Sequence, residues 1–435
     1  MTNVEIGIAS IVVILVFIQL GMHVAIALMS VSFIGVYLVK GKVVIAGALL
    51  SQAALDSVAR YSFGVIPLFV LMGVLVGVSG LGRDMFEVAG QLFRRFRGGL
   101  GIATVFANAI FAAVNGTSIA SASVFTKVAV PELIRQGYTA RFSVGVVAGS
   151  SVLGMLIPPS LLLILYGIIA EVSIGDLFTA GIVPGVLLAL LFCFAIALMA
   201  RFAPGFTGVA SNIDGRPLMS TGTMIARAAP IAVLIILVLG GIYGGFFTPT
   251  EAGGVGALGA LIIAQIKGGL GLRVFGRILL ETGQVTASIT FLIIAAHMYS
   301  RLLALTGLPN AMTDLLSAWN LGLFGILILY LIAIVLLGTI LDSSSILLIL
   351  LPLILPVVEP FSIDMVWFGI VTIVAVEVGL LTPPLGVACF VIKANLDDDR
   401  ITLNDIFAGA APFALIMVAL IGLLLMFPEL ATILL

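Results

Sequence analysis

The sequence predicts an all-α integral membrane protein made of two inverted repeats, each holding a re-entrant hairpin and a proline-broken helix. Three observations predict it. Of 435 residues, 62% are hydrophobic and only 9% are charged, a balance foreign to soluble domains of this size. Apolar runs recur from Val4 to Leu435, and a run of about 20 residues crosses a hydrocarbon core of roughly 30 Å as a helix. A polar cluster and a double proline each recur 225 residues further on. Helices are the expected form, because in lipid the backbone must satisfy its own polar groups. The 49 glycines suit them, since glycine lets membrane helices approach closely.

Composition also excludes functions. A net charge of −1, with no basic cluster beyond Arg94, Arg95 and Arg97, offers nucleic acid no positive surface. Cys193 and Cys389 each sit inside an apolar run, which reads as buried packing and not a disulfide framework. His23 and His297 lack a second ligand at metal spacing. Gly41-Lys42 is followed by Val43 and lacks the upstream spacing of a nucleotide-binding loop. No residue context for hydrolytic catalysis is present, so the chain reads as a non-enzyme. The first run opens on Glu5 and has no small-residue cleavage site after it, which reads as a retained span.

In order along the chain, crossings are expected near 4–20, 22–40, 61–80, 143–170, 178–200, 228–246, 252–266, 278–304, 366–395 and 404–432. The stretches 43–58 and 268–277 read as interfacial. Residues 100–135 and 322–358 are too long for one span and carry polar clusters in the middle, which predicts hairpins that enter and leave on one side. Arg94, Arg95, Arg97, Arg135 and Arg141 flank the first hairpin and place its ends in the cytoplasm. Asp314, Glu359 and Asp364 flank the second and place its ends outside. Arg201, Arg216, Arg227, Lys267, Arg273, Arg277, Lys393 and Arg400 agree with this topology, which leaves both termini outside; Lys40, Lys42 and Arg60 do not.

The offset organises the halves. Gly154-Met155-Leu156-Ile157-Pro158-Pro159 recurs as Gly379-Leu380-Leu381-Thr382-Pro383-Pro384. Pro131 falls on Pro356, and Ser118 in Asn115-Gly116-Thr117-Ser118 falls on Ser343 in Leu341-Asp342-Ser343-Ser344-Ser345. The expected organisation is a first repeat over 1–201, a polar cytoplasmic connection over 202–227 and a second repeat over 228–435. Five crossings per half invert the second copy. Inverted repeats with broken helices are the architecture of many secondary transporters.

Each double proline removes backbone donors and frees carbonyl oxygens where the helix breaks. A hairpin tip bearing hydroxyls adds oxygens, and the half-helix ends add their dipoles. The expected product is a cage for a hard monovalent cation, sodium. One cage is assigned to Asn115, Gly116, Thr117 and Ser118 with Gly154 and Pro158; the other to Asp342, Ser343 and Ser344 with Gly379, Thr382 and Pro383. Asp342 stands out, because a carboxylate near a helix centre costs about 2.5–3.5 kcal/mol on insertion scales, although Asp is also a favoured helix cap. Half-helix N-termini near Pro159, Ser160, Ser345 and Pro384 could receive a substrate carboxylate, which makes an anion the expected cargo. Lys127, Glu251, Arg301 and Glu377 are further ionisable residues that could touch substrate or ion, although such residues more often pair or snorkel.

The sequence resembles the large membrane subunit of the tripartite ATP-independent periplasmic (TRAP) transporters over nearly its whole length. The likeness rests on Ile66-Pro67-Leu68-Phe69-Val70-Leu71-Met72-Gly73, Asn115-Gly116-Thr117-Ser118, Pro158-Pro159-Ser160, Phe247-Thr248-Pro249-Thr250-Glu251-Ala252 and Leu381-Thr382-Pro383-Pro384-Leu385-Gly386. It implies an elevator-type carrier of the bacterial inner membrane, with Na+ as coupling ion and no other cofactor. It also implies two partners, a small four-helix membrane subunit and a periplasmic substrate-binding protein. No extra N-terminal helices represent a fused small subunit, so that subunit is expected to be separate. The cargoes implied are C4-dicarboxylates, sialic acids and other carboxylates. The competing expectation is a stand-alone sodium- or proton-coupled carboxylate carrier. A channel would need a continuous pore, and a proton-pumping subunit would need chains of buried ionisable residues that this sequence does not offer.

Overall fold

Thr2 and Glu5 form a reciprocal cap that opens the first helix, α1 (Asn3–Gln19). The computed structural model describes residues 1–208, 219–319 and 321–435. Arg216 and the middle of the 202–227 connection therefore lie outside the described residues. After α1 come α2 (Val24–Lys40), α3 (Val43–Ala59), α4 (Val65–Val78) and α5 (Leu81–Leu92). Next, α6 (Gly99–Asn115) turns at Gly116 and Thr117 into α7 (Ser118–Val128) and α8 (Val130–Arg135). The broken helix follows as α9 (Ala140–Ser151), α10 (Leu153–Leu156) and α11 (Leu161–Ala170), bent by 41° at the prolines. Then α12 (Ile174–Phe202) and the single turn α13 (Pro204–Thr207) lead to the connection.

The second half opens with α14 (Thr221–Tyr243), α15 (Pro249–Gly268), α16 (Leu272–Thr306) and α17 (Leu308–Ala318). Its hairpin is α18 (Leu323–Gly338) and α19 (Ser343–Val358), and its broken helix is α20 (Met365–Leu380) with α21 (Val387–Asn395). It ends with α22 (Leu403–Met426) and α23 (Glu429–Thr432). Among the described residues, seven helices are long and apolar enough to cross a membrane, or eight if the bent pair is one span.

The offset recurs in the boundaries of the described helices. The helix starts at Val24 and Pro249, at Ser118 and Ser343, and at Ala140 and Met365 are each 225 residues apart. The register also explains two elements that the sequence reading omits. The short helices α5 and α17 occupy matching places after the fourth apolar segment of each half, and both are amphipathic, so neither shows as an apolar run. One expectation needs correction: 268–277 is not a separate interfacial stretch, because from Leu272 it is the opening of the 35-residue α16. In the first half, α3 and α4 are separated at Arg60 and Tyr61; in the second the equivalent stretch runs through unbroken.

Two bodies result. In one, α2 and α4 pack against α16 and α15. Close approach depends on glycine: a Cβ on Gly35 would lie 2.8 Å from Leu302, and one on Gly253 3.0 Å from Leu68. Arg301 ties α16 to α3 through Asp56 (2.6 Å) and the Leu49 carbonyl (2.7 Å). The other body holds the hairpins, the broken helices, α12 and α22, with Gly145 of α9 laid directly on Gly409 of α22. Helix α5 bridges the two: Glu87 and Asp84 pair with Arg227 and Lys267.

Candidate functional site

Gly116 ends α6 in a left-handed conformation (φ 70°), which glycine adopts without steric penalty. Thr117 then returns to an extended conformation and caps α7, its Oγ1 accepting from the Ala120 amide (3.4 Å). The Asn115 amide donates to the Thr117 carbonyl (3.1 Å) and hydroxyl (3.3 Å), folding the tip over itself. Across from it, the first amide of α11 (Leu161) donates to the Gly116 carbonyl at 3.1 Å. Gly154 faces the tip so closely that a Cβ there would lie 2.6 Å from the Thr117 oxygen. The structure thus brings Asn115 to Ser118 together with Gly154 and the Pro158-Pro159 break, as expected from sequence.

The second tip is built on the same plan with different residues. Asp342, which the offset pairs with Thr117, caps α19: one oxygen accepts from the Ser344 and Ser345 amides (3.2 and 3.3 Å) and the other from the Ser345 hydroxyl. The contact to the second break is made by Gly338 and Thr339, which sequence reasoning missed. Leu385 and Gly386 donate to the Thr339 carbonyl (3.0 and 3.3 Å), and a Cβ on Gly379 would lie 2.6 Å from the Gly338 Cα. Thr382 turns its hydroxyl back to the Val378 carbonyl (2.7 Å). Both double prolines carry a cis bond, Pro158-Pro159 and Pro383-Pro384. The only signal for Gly338 is a small residue beside a threonine in mid-hairpin.

Where the two copies meet lies Glu377, in α20 one turn before the second break. It is 1% exposed. Its Oε2 accepts from Ser118 at 2.6 Å and its Oε1 from Ser343 at 3.2 Å, so the first residue of each hairpin's second arm reaches the same carboxyl group. The residue 225 positions earlier is Val152, so this acid has no counterpart in the first half. The arms also interlock across the halves: Ser123 of α7 donates to Asn395 of α21 at 3.0 Å, and α19 packs on α11.

The four residues assigned to the substrate fare differently. Pro159 lines a narrow crevice, about 20 Å³, between Phe69 and Met72 of α4 and the Asn115–Thr117 tip. Ser160 is buried; its hydroxyl reaches the Met155 carbonyl and caps α11 through the Leu163 amide. Ser345 spends its hydroxyl on Asp342. Pro384 is exposed beside the second break. Of the other ionisable residues, Glu251 caps α15 through Thr248, Arg301 is paired as above, and Lys127 is exposed. Carbonyl, hydroxyl and carboxyl oxygens dominate both tips, a donor set that suits hard cations.

Comparison with known proteins agrees with this plan. The crystal structure of the Alcanivorax borkumensis YdaH transporter superposes with a TM-score of 0.54 over 87% of this chain and 90% of that one, at 16% identity, and so shares the fold. The C4-dicarboxylate TRAP transporter large permease protein DctM of Pseudomonas aeruginosa is 33% identical over 339 residues, 77% of this chain and 78% of its own length. Its counterpart of the same name in Rhodobacter capsulatus is 31% identical over 405 residues, 88% of this chain and 90% of its own. Residues 11–430 match the model of the family described as tripartite ATP-independent periplasmic transporter, DctM component, and the chain therefore belongs to that family of large membrane permease subunits.

Proposed function

We propose that this subunit uses a sodium gradient to import a small organic carboxylate across the bacterial inner membrane. The single observation that supports it best is the paired construction of tip against broken helix, in which a hairpin carbonyl meets each break and Glu377 joins the two tips through Ser118 and Ser343. Irregular backbone at a midplane is where such carriers hold cations and substrate. The sodium cages are the two assigned from sequence, with Gly338 and Thr339 added to the second. The crevice beside Asn115, Thr117 and Pro159 marks the substrate position and must open further to admit a carboxylate, and the two relatives named for C4-dicarboxylates favour a carboxylate cargo.

The body carrying the hairpins moves against the body of α1–α4 and α14–α16, with the first hairpin entering from the cytoplasm and the second from the periplasm. Both termini are periplasmic. A small membrane subunit and a periplasmic binding protein complete the machine, the latter choosing the cargo. The test is uptake of labelled carboxylates into liposomes holding this chain and its small partner, with and without binding protein and an inward sodium gradient. Uptake that needs both supports the proposal. Uptake without binding protein would make it a stand-alone carrier, and uptake indifferent to sodium would remove the cation cages.

A further inference from the structure

We propose that Glu377 is a positioning residue that ties the two hairpin tips to one carboxyl group and aims the Ser118 and Ser343 hydroxyls at the two cation cages, coupling them. The inference rests on the sodium-coupled reading above, and it concerns a residue outside the cages themselves. A serine hydroxyl has one hydrogen and two lone pairs. With the hydrogen directed at Glu377, the lone pairs of Ser118 and Ser343 are left facing away from the carboxyl group. Several other buried hydroxyls behave differently: Thr126 donates to Ala122 and Ser57 to Ala53, each turned back on its own helix.

The geometry also explains why the acid occurs once. The offset makes Ser118 and Ser343 the same position in the two copies, so a residue between them serves both, and Val152 can stand at the matching place in the first half. As a carboxylate, the Glu377 side chain offers two equivalent acceptor oxygens, one for each tip. An amide cannot do this, because its nitrogen donates and would force one serine to turn its lone pairs inward. A tip that shifts when its cage fills therefore pulls on the group that orients the other tip. Partners that orient a ligand commonly change metal affinity by 10–100-fold when removed.

The experiment uses the reconstituted transporter with its partners. In Glu377→Ala the sodium concentration for half-maximal uptake should rise about 10-fold or more, with the Hill coefficient falling toward one and the rate recovering at saturating sodium. Glu377→Gln should show a smaller shift of the same kind. Wild-type sodium dependence in both variants overturns the proposal. Should Glu377→Ala fail to fold, Glu377→Gln is combined with Ser118→Ala: shifts that do not add support the shared role, and additive shifts overturn it. A second readout needs no sodium coupling. With Cys193 and Cys389 replaced by alanine, spin labels at Ile119→Cys and Ile340→Cys should give a narrow tip-to-tip distance that broadens in Glu377→Gln. An unchanged distribution overturns the tie. Sodium-independent uptake by the wild type overturns the coupled reading and the aiming of the hydroxyls, while the distance measurement still decides whether the tips are tied.

Discussion

Asp342 spends its carboxyl oxygens on its own helix, on two amides and a hydroxyl of the first turn of α19. Capping and ion binding can be separated there, because asparagine caps a helix about as well as aspartate, whereas alanine forfeits about 0.5–2 kcal/mol. Asp342→Asn should keep the wild-type unfolding temperature and lose sodium-driven uptake; Asp342→Ala should lose both. An asparagine variant with normal sodium dependence would reduce Asp342 to a cap. Gly154 makes the complementary case. A methyl group there meets the carbonyl of Thr117 at 2.6 Å and its carbon at 2.8 Å, backbone atoms that cannot swing aside. Gly154→Ala should push the first tip away from the break and raise the sodium requirement. The measurement is sodium-dependent uptake beside a thermal unfolding curve, and unaltered sodium dependence would take Gly154 out of the first cage.

Elements that are apolar throughout and interrupted by polar or proline residues were legible in the sequence. Both hairpins, both breaks and the apolar helices lie where the apolar runs and the 225-residue offset put them. What escaped was set by packing between distant segments. Amphipathic α5 and α17 carry too few apolar residues to register as spans, and α16 runs through a place where the first half breaks. Gly338 has no motif of its own; its role appears only when α18 lies against α20. At this scale Gly338 lies close on Gly379, where a Cβ on either would sit 2.6 Å from the other's Cα. Gly338→Ala should destabilise by roughly 1–3 kcal/mol, the usual cost of overpacking. Gly77 of α4 has no neighbour within 4 Å of an added Cβ, so Gly77→Ala should be neutral or stabilising by up to about 1 kcal/mol. Thermal unfolding in detergent ranks the two variants, and equal effects would mean the glycine contact is not tight.

For the whole molecule, the question is which parts travel together. Ser123 and Asn395 join the first hairpin to the second broken helix within one body, 3.0 Å apart. Arg60, at the end of α3, meets Glu171, at the end of α11, across the two bodies at 2.6 Å, both side chains substantially exposed. An exposed pair of this kind holds little energy, about 0–1 kcal/mol, so replacing it should leave the reduced protein active. Covalent joining is different. In a background lacking Cys193 and Cys389, cysteines at 60 and 171 should stop uptake when cross-linked and restore it on reduction, whereas cysteines at 123 and 395 should cross-link without loss. Movement of one body against the other requires that pattern, because only the first bond spans them. Full uptake through a cross-linked 60–171 pair would mean that these two helix ends stay together throughout the cycle, and the moving boundary would then have to lie elsewhere, between α11 and the hairpin arms that it supports.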